Sequence, residues 1–306
     1  MAMIIVCHVF QYYENELAYW FNVGVQIFFV ISGYLYSNRV IDDPISFIIK
    51  GFKKILVPYE VLLFIAIVLY AIFARDSLSL VSAVKAIVCA GTIKGLGHLW
   101  FVGYILFCYL LTPYLYWIRL KVDKYSIGRM LLIYIALLIA VQVVGFAFDS
   151  YFLPDRISCY LIGFFVPSLI SQIKEADKRR WSIVVVTIAV ILNIGRFYLR
   201  YVNIGLFPSV LVTIVVHYSH LILGVALFIV LMRIFKYAKY NELLRWTDKY
   251  SYAVYLTHML FIISPFSLMS VTTVYIINWM IMICSAILSA VVLNEASKYV
   301  QKVVRI

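Results

Sequence analysis

The sequence is poor in charge: 13% of its 306 residues are Asp, Glu, Lys or Arg, where a soluble domain uses roughly a quarter. Acids are scarcest, 14 against 26 Lys and Arg, which leaves a formal charge of +12. The five cysteines, Cys7, Cys89, Cys108, Cys159 and Cys284, form no CxxC pair and no metal-ligand spacing, and all lie in or beside apolar stretches. That excludes a disulfide framework. The opening MAMIIVCHVFQYY has no charged n-region and no small-residue cleavage site, so a removable signal peptide is not expected. What fills the chain is apolar: 65% of it is hydrophobic and the mean hydropathy is +1.00. At roughly 20 residues per crossing, this is material for about ten membrane spans, with no room for a water-soluble catalytic domain.

Apolar runs between charged punctuation predict spans at 1–13, 19–37, 55–73, 98–118, 130–148, 157–173, 181–199, 208–232, 250–268 and 271–293. With the N-terminus inside, 20 of the 26 cations fall in cytoplasmic segments and 6 on the opposite side or the span ends facing it, as the positive-inside bias requires. The basic balance is therefore assigned to topology and not to nucleic acid. The expectation is an all-α polytopic membrane protein, a bundle of about ten transmembrane helices with both termini cytoplasmic, forming a single domain over 1–306. The connection 74–97 holds an amphiphilic stretch, LSLVSAVKAIVCAGTIKGLG, which reads as an interfacial or re-entrant helix able to cap a cavity. Neither an internal repeat nor a pair of matching Gly/Pro-broken spans is present, which weighs against a secondary transporter.

Polar side chains inside spans are costly and mark candidate sites. His8, Gln11 and Asn15 share one helical face of the first span, and Asn22, Gln26 and Gly33 one face of the second. Thr213, His217, His220 and Gly224 do so in the eighth span, and Ser251, Tyr255 and His258 in the ninth. Such stripes serve either a site or interhelical hydrogen bonding. Imidazole titrates near neutrality and suits proton abstraction from a hydroxyl, which makes His8 the first catalytic candidate, ahead of His258. His98, His217 and His220 read as structural. The i, i+3 pair His217 and His220 lacks a third ligand nearby, so no metal is expected. Glu60, near a cytoplasmic span end, is the one acid clearly placed within a span.

Four ordered motifs together resemble the membrane-bound acyltransferase family 3, bacterial enzymes that O-acylate cell-surface polysaccharides and related lipids and sugars. They are His8 followed by GVQIFFVISGYL from Gly24, the basic run KGFKKILVPY, the segment HLWFVGYILFCYLLTPYL from His98, and SYAVYLTH from Ser251. The motif-bearing region runs over 8–294. The resemblance implies transfer of an acyl group, most often acetyl, from cytosolic acyl-CoA as co-substrate to a hydroxyl of an envelope glycan or exopolysaccharide, or of its lipid-linked precursor. It implies a multi-pass protein of the bacterial inner membrane, with the lipid bilayer, the glycan acceptor and glycan-assembly proteins as partners, no nucleic acid, and no permanently bound cofactor. Export or flipping of a glycan intermediate is the alternative.

Carried onto this sequence, the resemblance makes His8 the base or acyl relay and puts Lys50, Lys53 and Lys54 at the acyl-CoA phosphates, where simple positive-inside anchoring is the other reading. Asn22, Gln26, Ser32, Tyr34, Trp100, Tyr255 and His258 become candidate channel or substrate residues. Ser32 and Tyr34 serve either the donor channel or helix packing, and Trp100 either stacks on a sugar or anchors at the interface. Two departures stand out. Lysines replace the family's RxxR pattern, which keeps charge but loses bidentate phosphate geometry. The first span also lacks the basic residue expected about three helical turns before His8. Its thirteen residues cover about 20 Å, short of a hydrocarbon core of about 30 Å, so roughly ten further residues are expected upstream of Met1.

Overall fold

The computed structural model describes residues 1–147, 152–201 and 209–303, and every regular element among them is helical. The expected span boundaries at 148 and 208, and Arg305, lie outside the described residues. The helices are α1 (Ala2–Tyr12), α2 (Ala18–Phe21), α3 (Gly24–Ser37), α4 (Pro44–Phe73), α5 (Leu80–Ile87), α6 (Trp100–Val122), α7 (Ile127–Ala147), α8 (Phe152–Ser171), α9 (Glu175–Tyr201), α10 (Ser209–Phe235), α11 (Glu242–Thr257) and α12 (Tyr275–Val303). Seven segments among the described residues are long and apolar enough to cross a membrane: Ala18–Ser37, Pro44–Phe73, Gly97–Val122, Ile127–Ala147, Asp177–Leu199, Tyr218–Phe235 and Tyr275–Val303. Each overlaps an expected span. The other three expected spans correspond to α1, which is 11 residues long, to α8, and to α11 with the turns after it.

The chain divides into two compact units. The first is Met1–Phe21, Asp43–Tyr109 and Lys239–Ile306; the second is Asn22–Asp42 and Leu110–Ala238. In the first unit α4 begins eleven residues earlier than expected. Asp43 caps it by accepting from the backbone N–H of Ile45 and Ser46, and Pro44 follows at the first helical position, where a missing N–H costs nothing. The 30 residues of α4 make a rod of about 45 Å, longer than a hydrocarbon core, so its polar beginning extends beyond the apolar part.

The expected continuous span 250–268 is broken. α11 stops at Thr257, a 3-10 turn covers His258–Phe261, and a chain of turns leads to α12. Side chains add donors around this helix end. Thr257 Oγ1 donates within reach of Ala253 O at 3.0 Å and Ala286 O at 3.1 Å, and His258 takes Tyr255 O. Pro265 follows in the sequence and cannot continue a helix. The turns are fixed by buried Asn278, whose amide donates to Met269 O and Thr272 O and accepts from the Thr272 N–H and hydroxyl. Ile262 and Met269 from these turns, Val9 from α1 and Met282 from α12 form one buried apolar cluster. That cluster seats α1 and orients the residue before Val9, which is His8.

The 74–97 connection carries the expected short helix, α5. Ala83 and Ala86 face inward while Leu80, Val81 and Val84 are exposed. Tyr59 donates to Ala86 O at 2.5 Å and Tyr70 to Lys94 O at 2.9 Å, lashing the connection to α4.

In the second unit α8 packs against α3, α7 and α10. α3 and α8 approach until backbones touch: a Cβ on Gly33 falls 2.1 Å from Tyr160 O, and one on Gly163 falls 2.0 Å from Val30 O. Small residues at such crossings are how helices associate where lipid supplies no hydrophobic drive. α8 is buried along most of Pro154–Phe165, so it tolerates charges that a lipid-facing span does not. Gly163→Ala is expected to cost about 2 kcal/mol and to lower the thermal unfolding midpoint in detergent by several degrees; an unchanged midpoint contradicts this crossing.

Candidate functional site

In the first unit three imidazoles from distant parts of the chain meet. Ring centroids lie 5.2 Å apart for His8 and His258, 4.9 Å for His98 and His258, and 6.3 Å for His8 and His98. Tyr255 packs edge-on against His98 at 5.2 Å and against Phe101 at 5.2 Å. His98 and His258 are buried and His8 is half-buried.

Each ring has its tautomer set by a carbonyl oxygen, which can only accept. His8 Nδ1 lies 2.6 Å from Gln11 Oε1, so in the neutral ring Nδ1–H donates and Nε2 keeps its lone pair. His258 Nδ1 donates to Tyr255 O at 2.6 Å and reaches Val254 O at 3.2 Å. His98 Nε2 donates to Leu256 O at 3.1 Å. The remaining nitrogens, His98 Nδ1 and His258 Nε2, are buried without a hydrogen-bond partner. Such an atom is costly unless something binds it. Tyr255 completes a reciprocal lock, its hydroxyl donating to His98 O while His98 donates one residue further along α11.

The expected stripe on the first span is half realised. Gln11 bonds His8, but α1 ends at Tyr12 and Glu14 adopts φ +52. Asn15 therefore leaves the helical face; it is exposed and its Oδ1 accepts from the Leu17 N–H. Ser251 is half-buried and bonds Asp248 O, about two turns of α11 away from the rings. His98, read as structural in the sequence, sits inside the cluster. It precedes α6 on a 3-10 turn, where no helical periodicity reveals which way a side chain faces. Behind it Gly95 adopts φ +81, and a Cβ there falls 2.8 Å from Ser264 Cα, so the 74–97 connection lies directly on the turns that follow His258. Trp100 is half-buried against Tyr104 at 5.1 Å and Phe101 at 6.3 Å.

Lys50, Lys53 and Lys54 are exposed on one face of the early turns of α4. They belong to the same unit as the imidazoles, and one bond relates the two groups: Tyr252 donates to Ile55 O at 3.0 Å, one residue past Lys54. Tyr252 lies six residues before His258, about 9 Å along a helix axis.

Asn22, Gln26, Ser32 and Tyr34 belong to the second unit. Gln26 is buried and its amide donates to Asp155 Oδ2 at 3.0 Å; the same oxygen pairs with Arg156 at 2.5 Å. Asp155, Arg156, Arg196 and His220 are all buried. Glu60 reads from the sequence as the one acid clearly within a span; Asp155, two residues before the expected span at 157, is buried in α8 as well. Adjacent opposite charges neutralise each other and allow a buried helix to begin before them. Gly224 of α10 meets Gln26 directly, with room for no Cβ. The side chains of Thr213 and His217 lie outside the described residues. Asn22 and Ser32 are half-buried, and Tyr34 packs on Phe228 at 5.3 Å.

The arrangement is suited to moving a proton among neutral imidazoles in a dry setting. A family model described as an acyltransferase domain matches residues 1–295. The chain belongs to acyltransferase family 3. No curated protein and no solved structure matches it. As a member of this family it is a membrane acyltransferase, and its three imidazoles lie in the region the family model covers.

Tyr255→Phe deletes the hydroxyl that bonds His98 O and leaves a buried carbonyl without that donor, an expected loss of about 1–3 kcal/mol. Thermal unfolding in detergent measures it, with Tyr237→Phe, at an exposed tyrosine, as the control expected to leave the midpoint in place.

Proposed function

We propose that this family 3 acyltransferase moves an acyl group, most often acetyl, from cytosolic acyl-CoA to a hydroxyl of an envelope glycan or its lipid-linked precursor, in the bacterial inner membrane. The observation that carries the reading is the convergence of His8, His98 and His258, each held in one tautomer. In the reaction, His8 Nε2 takes the proton of the acceptor hydroxyl as its oxygen attacks the thioester carbonyl. The tetrahedral adduct collapses, the C–S bond breaks, and the departing thiolate takes the proton back from His8. His258 Nε2 and His98 Nδ1 are acceptors beside it, able to share that proton or to hold a substrate hydroxyl. Tyr255 positions His98. Gln11 positions His8, since its carbonyl fixes which nitrogen is basic.

Lys50, Lys53 and Lys54 hold the phosphates of the donor as point charges. Their place on the polar beginning of α4, joined to α11 through Tyr252 and Ile55, supports a donor that binds at the cytoplasmic end and reaches its thioester towards the imidazoles. Both termini are cytoplasmic in this reading, and the glycan and its assembly proteins are the partners.

A second reading, flipping or export of a glycan intermediate, draws support from one observation: Asp155 is a buried carboxylate of the kind ion-coupled transport uses. The two readings separate in membranes supplied with labelled acetyl-CoA. His8→Ala is expected to lower label incorporation into glycan by about a hundredfold or more, and equal incorporation by variant and wild type with glycan export lost overturns the enzyme reading. Replacing Lys50, Lys53 and Lys54 together by Gln is expected to raise KM for acyl-CoA about tenfold with kcat little changed; a fall in kcat at unchanged KM removes the lysines from donor binding.

A further inference from the structure

The second unit holds an apolar cavity of about 570 Å³ that the transfer chemistry does not use. Tyr34, Leu131, Ile162, Val166, Val225 and Phe228 line its body, and Lys178, Arg233 and Lys236 line it as well. The order of the helices gathers the basic residues at one end. Tyr34 is near the end of α3, Lys178 near the start of α9, and Arg233 and Lys236 at the end of α10. The apolar lining runs inward from there: Val225 lies eight residues before Arg233, about 12 Å along α10. Leu131, Ile162, Val166 and Leu169 also border a second cavity of about 130 Å³, so the apolar space continues sideways.

Its mouth is itself apolar and outward-facing. Leu131, Ile170 and Met232 are exposed, and Trp181 is 57% exposed beside the basic residues. A tryptophan among cations at the end of a bundle is what a membrane interface selects. None of the lining residues is acidic; Glu175 nearby pairs with Lys178 at 2.5 Å and also acts on Lys236, so one carboxylate stands against three cations and the rim keeps a net positive charge centred on Arg233 and Lys236.

We propose that this slot binds an anionic membrane phospholipid, its phosphate at Arg233 and Lys236 and one acyl chain lying between α7, α8, α9 and α10 on the face of Tyr34. The charge of the rim selects phosphate with a net negative headgroup, the length of the lining selects a long apolar chain, and the outward apolar mouth selects a ligand that arrives from the bilayer instead of from water. Tyr34, expected from its motif to border an acyl channel, borders lipid in this assignment. The proposal does not depend on the identity of the acyl acceptor.

Native mass spectrometry of the full chain in detergent tests it, with equal amounts of phosphatidylglycerol and phosphatidylcholine carrying the same chains. Wild type is expected to retain phosphatidylglycerol about tenfold better, and Arg233→Gln with Lys236→Gln to bring the two lipids to parity. Val225→Trp, which fills the slot, is expected to remove retention of both. The two glutamine substitutions lie at exposed positions and leave the packing intact, so they report even where the tryptophan variant fails to fold. Equal retention of both lipids by wild type overturns the proposal, as does palmitoyl-CoA displacing phosphatidylglycerol at equal concentration, which assigns the slot to the acyl donor.

Discussion

A helix that ends inside a protein exposes carbonyl oxygens where no water is at hand, and those oxygens must find donors. The end of α11 is such a place, and most of the first unit follows from how it is met. Val254 O keeps the backbone N–H of His258, while Tyr255 O is taken by the His258 ring and Leu256 O by His98. The donors that satisfy the backbone are thus the rings of the candidate site. By spending one N–H each on a carbonyl, the imidazoles are left with one basic nitrogen apiece, so the bond that allows α11 to stop also makes the rings chemically useful. The stop in turn creates the turns that carry Ile262 and Met269, which seat α1 and bring His8 to the other two rings. Breaking the end of α11 would disperse the site even if every histidine remained.

This explains what the sequence makes legible and what it hides. Composition and spacing reveal the apolar helices that face lipid, because lipid demands a nearly uniform apolar run. They fail for segments whose neighbours are protein. α8 carries Asp155 and Arg156 among residues buried along much of its length, and a charge pair inside protein costs far less than a lone charge in lipid. The stretch 250–268 is apolar enough for a span, yet Thr257 and His258 offer donors that compete with the helical ladder, and a hydropathy sum does not see them. His8 is legible because it lies on a helix, and His258 because it directly follows one, each with polar neighbours at helical spacing. His98 is not, since its partner Leu256 is 158 residues away and its own turn has no stripe. Asn15 is misread for the converse reason: the helical spacing continues in the sequence after the helix itself has ended at Tyr12.

The two units divide the physical work. The first unit builds a place where a proton can move, using neutral rings and backbone carbonyls and no fixed charge within the cluster. The second concentrates buried charge, with Asp155, Arg156 and Arg196 at one end of α8 and α9, and apolar space near the other. Gln26 and Tyr34 illustrate the division within one helix. Both come from the same sequence motif, a little over two turns apart, yet Gln26 bonds a buried carboxylate while Tyr34 borders an apolar cavity. A motif is therefore a poor unit for assigning roles in this chain, since a single helix delivers its residues to different environments along its length.

Lysine in place of arginine on α4 has a consequence that follows from the helix itself. Pro58 lies four residues after Lys54 and has no N–H, so the carbonyl of Lys54 loses the helical donor it would otherwise have. That opening falls where the polar beginning of α4 meets its apolar body, and it loosens the rod at the lysine segment. Arginine gains most at a rigid site, where its planar fork matches two phosphate oxygens at once; lysine is a point charge on a flexible stem and loses little when its anchor moves. If these lysines hold the donor, as proposed, they would do so by charge more than by geometry. Arginines restored at Lys50 and Lys53 would gain affinity only to the extent that α4 can hold them still, and the same proline sets that limit.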